Sequence, residues 1–222
     1  MNVKTKKREY KEQLYQLFAQ IATAIANQHR LELLDLLVQA PRTVEELAQE
    51  AHMSIGNTSQ HLQRLKQARL VTAAREGVYI RYRLADPLVA RLWLQLRAVA
   101  GQQLAEVEQA LDAYRDRRHE FVGITAEELA ARLDTNEVIL LDVRPVIEFE
   151  TAHLPGAVSI PWDKVAQRLH ELPDDKTIVA YCRGPYCVYA DEALSQLAAN
   201  GWTVARLEEG VAEWQQAGYA LA

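Results

Sequence analysis

Along the first half of the chain, apolar residues recur at helical spacing. Along the second half, short apolar runs alternate with amphipathic ones. Tyr10, Leu14, Leu17, Phe18, Ile21 and Ile25 fall on one face of a helix. "HRLELLDLLVQAP" predicts a second helix, ended by Pro41. Thr43 with Glu46 three residues on forms a capping box that opens "TVEELAQEA", whose inner stripe is Val44, Leu47, Ala48 and Ala51. In "SIGNTSQHLQRLKQARL" Ser54 is the N-cap, with Ile55, Leu62 and Leu65 expected inward and Asn57, Gln60, Gln63 and Arg64 outward. "LVTAAREGVYIRYRL" alternates in strand fashion around Arg75, Glu76 and Gly77, which predicts a hairpin.

From Leu88 to Tyr114 one long helix is expected. Leu92, Leu96, Val99, Leu104, Val107 and Leu111, with Trp93 and Leu94, are too many apolar positions for one face. Such a helix packs on two sides, its own domain and a partner subunit, so Leu92, Leu96, Val99 and Leu104, with Leu14 and Phe18 of the first helix, are the candidate dimer contacts. The pattern then changes. "VGITAEELAARL" predicts a helix capped at Thr125, followed by the strand "EVILLDVR", a short helix and strand in "VIEFETAHLPGAVSIP", the helix "WDKVAQRLHEL", the strand "TIVAYC", the helix "YADEALSQLAANG", the strand "TVARLE" and the helix "GVAEWQQAG". Apolar strands alternating with helices belong to a parallel sheet covered on both faces, where chemistry collects beyond the carboxyl ends of the strands.

Composition sharpens this division. The chain has 222 residues, 49% of them hydrophobic, and a net charge of −5. Residues 1–118 hold 18 Lys and Arg against 13 Asp and Glu, a net +5, and residues 119–222 hold 7 against 17, a net −10. Two domains are therefore expected, 1–118 and 119–222, the first suited to an anionic partner such as DNA and the second not. No run of about 18 apolar residues is present, which predicts no membrane span, and the charged N-terminus is unlike a signal peptide. A cytoplasmic protein is expected, and there a cysteine pair serves catalysis, metal binding or redox sensing more often than stapling.

Two short helices joined by a tight turn, the second presenting amide, hydroxyl and guanidinium groups, form a helix-turn-helix whose second helix can read a major groove. A bundle with a solvated polar face gives the same pattern. The hairpin then reads as a wing, with Arg75, Arg81 and Arg83 placed for phosphates or the minor groove, or as a soluble edge.

Both cysteines lie in "YCRGPYCVYA". Cys182 ends a predicted strand and is followed by a loop and a helix, a place where backbone amides and the helix N-terminus stabilise a thiolate and cradle an anion or a terminal persulfide sulfur. An inert buried strand cysteine is the alternative. Cys187, at the next helix start, is either a resolving thiol able to close a disulfide or a sulfur-bridged link, or a small packing residue. Two cysteines without paired histidines make half a zinc ligand set, and His29, His52 and His61 lack ligand spacing, so neither a metal site nor a cofactor is expected.

Through "NQHRLELLDLL", "TVEELAQEAHMSIGNTSQHLQRLKQARLV" and "REGVYIRYRL" the first half resembles the ArsR/SmtB winged-helix repressors. The resemblance implies a homodimer on a palindromic operator, with base and phosphate contacts from Ser54, Asn57, Thr58, Gln60, His61 and Arg64. The cysteine or histidine and carboxylate sets of metal-responding members are absent.

The second half resembles a single rhodanese domain through "LLDVRPVIEFETAHLPGAVSIP", the cysteine loop and "LEEGVAEWQQAGY". This implies Cys182 as the nucleophile carrying a sulfane sulfur, with Asp142 and Arg144 as supports and Glu148 and His153 holding the loop scaffold. The loop Cys182, Arg183, Gly184, Pro185, Tyr186, Cys187 departs from common sulfurtransferase loops, which argues against rapid turnover on thiosulfate, although Arg183 offers a charge to an anionic donor. Val188 stands where phosphatase versions of the fold need Arg.

The combined expectation is a mainly α winged helix-turn-helix domain followed by an α/β rhodanese-like domain, acting as a regulator that senses reactive sulfur or another thiol-reactive signal. Cys182 reacts and Cys187 resolves, with a thiosulfate, polysulfide or persulfide donor. The alternative is a sulfurtransferase carrying a persulfide on Cys182, localised or autoregulated by its DNA-binding module.

Overall fold

A computed structural model describes residues 3–115, 121–133, 138–173 and 175–222. Most of the expected connector "RDRRHEF", residues 116–120 including His119, lies outside the described residues. The chain forms two compact units, Met1–Gln95 and Leu96–Ala222, which divide within a helix and not at the charge boundary near residue 118.

The first unit runs α1 (Val3–Ile25), α2 (Gln28–Gln39), β1 (Arg42–Thr43), α3 (Val44–Glu50), α4 (Ile55–Gln67), β2 (Val71–Glu76), β3 (Tyr79–Leu84) and the start of α5 (Pro87–Gln103). Each of α2, α3 and α4 begins where the chain offers a cap. The Asn27 side chain accepts from Arg30 N at 3.2 Å, and Ser54 Oγ accepts from Asn57 N at 3.3 Å. Thr43 and Glu46 close the expected capping box, with Thr43 N donating to Glu46 Oε2 at 2.7 Å. Leu33, Leu34 and Leu37 of α2, Leu47 of α3, and Leu62 and Leu65 of α4 meet Val71 and Tyr82 in one core.

The hairpin pairs β2 with β3 around Gly77, which takes φ +63, and β1 adds on the far side of β3 to give the antiparallel order β1-β3-β2. A two-residue strand such as β1 has no periodicity to read. Ile55 differs from expectation: it is 54% exposed, and the buried position in the first turn of α4 goes to Thr58, whose hydroxyl donates to Ser54 O at 3.0 Å.

The second unit takes the end of α5 and continues through α6 (Ala105–Arg115), β4 (Gly123–Ile124), α7 (Ala126–Leu133), β5 (Val138–Asp142), α8 (Val146–Thr151), β6 (Val158–Ser159), α9 (Val165–Arg168, flanked by 3-10 turns), β7 (Thr177–Tyr181), α10 (Tyr189–Ala199), β8 (Val204–Leu207) and α11 (Val211–Gln216). The single helix expected over Leu88–Tyr114 is broken at Leu104. There Val107 N bonds back only three residues, to Leu104 O at 3.0 Å, and the acidic residues Glu106 and Glu108 sit in the new first turn of α6.

The strands form a parallel sheet in the order β4-β8-β7-β5-β6. Side chains of β7 alternate between two cores, Val179 and Tyr181 in one and Ile178 and Ala180 in the other, and Cys182 continues the second series.

Thr43→Ala removes the acceptor at the N-terminus of α3. A loss of about 1 kcal/mol from the first unit is expected, read as a lower urea midpoint at unchanged slope.

Candidate functional site

The β7 strand delivers Cys182 to the carboxyl edge of the sheet, and α10 begins at Tyr189. Between them, Cys182 and Cys187 are joined as a disulfide, with Cα atoms 6.2 Å apart. The expected exposed thiolate is not what the structure holds: Cys182 is 2% exposed, packed with Val143, Ile160 and Ala180, whereas Cys187 is partly exposed. The strand alternation explains this, because the side chain that follows Ala180 by two points into the same core.

The loop is gripped by its carbonyl groups. Arg206, from the adjoining strand β8, donates through Nη2 to Cys187 O at 3.1 Å, Pro185 O at 3.2 Å and Gly184 O at 3.4 Å. Its Nε lies 3.1 Å from Asp191 Oδ1 in α10. Burial pulls Arg206 below its ordinary pKa, opposed by the Asp191 charge, and a guanidinium nevertheless stays protonated. Arg115 at the end of α6 adds a bond to Pro185 O at 3.2 Å.

Two glycines make the path possible. Gly184 takes φ +117, a conformation side chains resist. Gly210, ahead of α11, forms the floor, where a Cβ would stand 2.5 Å from Gly184 N and 2.7 Å from Arg183 C.

The supporting residues form one buried ionic chain. Asp142 accepts from Arg144 Nη2 at 2.7 Å and from Tyr181 Oη at 2.5 Å, and Arg144 also donates to Ala152 O at 2.8 Å. Burial opposes the charge on Arg144, but the bond and charge of Asp142 more than offset it and hold its pKa above the ordinary value. Burial, then the Asp142 charge, push the Tyr181 hydroxyl far up, so it stays a donor. Glu148 accepts from Arg183 at 2.6 Å and lies 3.9 Å from Arg144. Arg183 is thus committed to Glu148, which corrects its expected role as a charge offered to an anionic donor. His153 stacks on Phe149, its Nδ1 2.9 Å from Phe149 O, and its backbone pairs with Ala222.

Tyr186 and Val188 flank Cys187 on the solvent side. The Tyr186 ring lies against Gly101, with the Arg97 guanidinium 5.6 Å from its centroid, and Arg97 pairs with Glu213.

In the first unit, Ser54, Asn57, Gln60 and Arg64 are exposed along α4. Thr58 is fully buried, which removes it as an exposed nucleic-acid contact. His61 is half-buried, its ring 5.3 Å from that of His29. On the hairpin, Arg75 is exposed and bonds its own turn at Gly77 O, while Arg81 folds back onto Glu76 at 2.7 Å, Pro41 O at 3.2 Å and Glu46 at 3.5 Å. Arg75 thus stays exposed beside the turn, Arg81 is held back from it, and the tip itself is Val78, 84% exposed. Phe18, Leu92, Leu96, Val99 and Leu104 are exposed apolar residues, and Leu14 is half-buried.

Residues 27–73 match the profile of bacterial regulatory proteins of the arsR family, and residues 125–217 match the rhodanese-like domain. Over 200 residues the chain is 43% identical to the HTH-type transcriptional regulator Rv0324 of Mycobacterium tuberculosis, covering 90% of this chain and 88% of that protein. The chain is an arsR-family transcriptional regulator with a C-terminal rhodanese-like domain. The rhodanese half of this regulator is also 33% identical over 100 residues to a sulfurtransferase of Allochromatium vinosum, covering 44% of this chain and 92% of that one. A solved structure of the homodimeric winged helix-turn-helix DNA-binding domain Mb0332 of Mycobacterium bovis is 41% identical, with a TM-score of 0.41, covering 42% of this chain and 87% of that one.

Sequence reasoning missed Arg206, Arg115, Asp191 and Gly210. One signal was present for Arg206: a charged residue inside the apolar strand "TVARLE", facing the sheet's neighbours, is costly unless it serves a partner. Nothing in the spacing pointed to Arg115 or Asp191, which meet the loop only through tertiary folding. Among the described residues, no group of three His, Cys, Asp or Glu side chains gathers as a metal site, and no helix is long and apolar enough to cross a membrane.

Two outcomes follow for this regulator. Burial, with the charges of His29, Arg30 and Arg64, lowers the pKa of His61 from its ordinary 6.5. The unfolded chain therefore binds more protons between the lowered value and 6.5, so stability of the first unit rises with pH across that window; His61→Gln flattens the slope in pH-dependent urea melts. Gly210→Ala drives a methyl into the Arg183 to Gly184 backbone, and a loss of about 1–3 kcal/mol is expected in the second unit's melt.

Proposed function

We propose that this regulator binds operator DNA as a homodimer, through α4 and the hairpin, and that the Cys182–Cys187 pair is a thiol switch closed by reactive sulfur or another thiol-reactive signal. The observation that carries the reading is the bond between the two cysteines across a loop held by Arg206. A pair already in bonding distance oxidises without rearranging the sheet, and closing the bond consumes the thiol that turnover would need. The commitment of Arg183 to Glu148 argues the same way, since a thiosulfate-processing site needs a charge to offer.

DNA binding draws support from the exposed Ser54, Asn57, Gln60 and Arg64 on α4, amide, hydroxyl and guanidinium groups of the kind that read base edges and phosphates. The net +5 of residues 1–118 favours a polyanion. Dimerisation draws support from the exposed apolar residues of α1 and α5, Phe18 at 58% among them, which are of the kind a partner surface covers.

The switch acts on α5 and α6 through contacts of the loop: Tyr186 against Gly101, and Pro185 O on Arg115. A coupling of about 1–3 kcal/mol weakens operator binding roughly 5- to 150-fold on oxidation. The test is operator affinity of reduced and polysulfide-treated protein, wild type and Cys182→Ser. Loss of affinity in the wild type alone is expected, and equal affinities in all four samples would sink the switch.

A further inference from the structure

Beside the cysteine loop, within the second unit, lies an open cavity of about 640 Å³. Leu104, Val107, Ala110 and Leu111 form one wall, and Tyr186 and Val188, the two neighbours of Cys187, form the other. Glu106 and the Tyr114 hydroxyl, which donates to Glu192, are its polar rim.

Two facts about this cavity bear on how the disulfide forms. First, of the two cysteines it is Cys187 whose chain neighbours face the cavity and whose residue is partly exposed, while Cys182 is buried in the core. Secondly, the cavity itself presents no cation among its lining residues. The arginines around the loop face carboxylates, Arg183 with Glu148, Arg97 with Glu213, and Arg206 and Arg115 sharing Asp191, and the acid on the cavity rim, Glu106, repels negative charge. An apolar wall with an acidic rim favours a neutral, lipophilic molecule over thiosulfate or another anionic donor.

We infer that Cys187 is the entry thiol of the switch, reached through this cavity, that Cys182 is the resolving thiol, and that the signal is a neutral organic polysulfide. The inference rests on the thiol-switch reading and reverses the order the sequence suggested. The Cys187 thiolate attacks a terminal sulfur of a dialkyl trisulfide, forming Cys187–S–S–R and expelling the perthiolate RSS⁻. The Cys182 thiolate then attacks Cys187 Sγ, closing the protein disulfide and expelling RS⁻. Two cysteine thiolates lose two electrons, and one trisulfide gains them to give RS⁻ and RSS⁻.

The test uses the full-length protein, reduced and desalted, then exposed to diallyl trisulfide or, separately, to tetrathionate, with adducts located by peptide mass spectrometry. Cys182→Ser is expected to accumulate the allylthio mixed disulfide on Cys187, whereas Cys187→Ser labels Cys182 at least tenfold more slowly. Val107→Glu, and independently Leu111→Asp, slow the trisulfide reaction about tenfold at an unchanged circular dichroism spectrum. Labelling of Cys182 in Cys187→Ser at the wild-type rate overturns the inference, as does tetrathionate reacting as fast as the trisulfide. Operator affinity measured in parallel separates the two readings: disulfide closure by this route without loss of DNA binding rejects the switch and leaves the order of attack standing.

Discussion

Arg206 is the constraint on which the second unit's site depends. A guanidinium 7% exposed on a sheet strand is costly to desolvate, and here three loop carbonyls accept from its Nη2 while the Asp191 carboxylate stands 3.1 Å from its Nε as a charge partner. Those bonds fix which way the loop's peptide groups point. With the carbonyl oxygens of residues 184, 185 and 187 turned toward β8, the loop has one path between β7 and α10, and Gly184 and Gly210 are the residues that let it pass. The disulfide bridges the two ends of a path whose direction is set by charge and backbone.

That frame also explains the chemistry the site disfavours. A buried ion pair contributes little net stability but is strongly destabilising to break, so arginines with carboxylate partners are not lent to a passing anion without penalty. Arg144 and Arg183 share Glu148, and Tyr181 and Arg144 share Asp142, so the polar groups at the carboxyl edge are committed to one another. What remains open to solvent near Cys187 is aromatic and aliphatic: Tyr186, Val188 and the apolar side of α6.

The two halves were legible in the sequence to different depths. In the first unit, the capping box at Thr43, the Ser54 cap and the hairpin followed from local chemistry, since each is made by residues within a few positions of one another. The errors there were positional. Ile55 shares a face with Leu62 by spacing yet stands in water, because Thr58 fills the buried place, and Arg81 turned back to Glu46, 35 residues earlier in the chain. In the second unit the order of strands and helices was readable from alternation, and the motifs of both halves led to the families that the chain matches. The surroundings of Cys182 were not readable. Its position at a strand end was correct, but whether a strand-end side chain points into the core or out depends on parity, and the carbonyl grip comes from Arg206, Asp191 and Arg115, residues far apart in sequence.

Parity at residue 182 also bears on why a pair is needed. A lone buried thiol reacts slowly with anything larger than a proton, and a lone surface thiol reacts with everything. Both sulfurs pack against the core of Val143 and Ala180, but only Cys187 is partly exposed and has neighbours lining the apolar cavity, so in the proposed order the more exposed partner would meet the reagent and the buried one would hold the resulting bond where other thiols have difficulty reaching it. The loop between them touches Gly101 through Tyr186 and Arg115 through Pro185, and these are the contacts through which the proposed switch would act on α5 and α6. Among those contacts are a ring packed on a glycine, the Arg97 guanidinium over that ring and one carbonyl bond. Contacts of that kind would suit the proposed switch, because a coupling of about 1–3 kcal/mol is of the size that a few such interactions can make or lose.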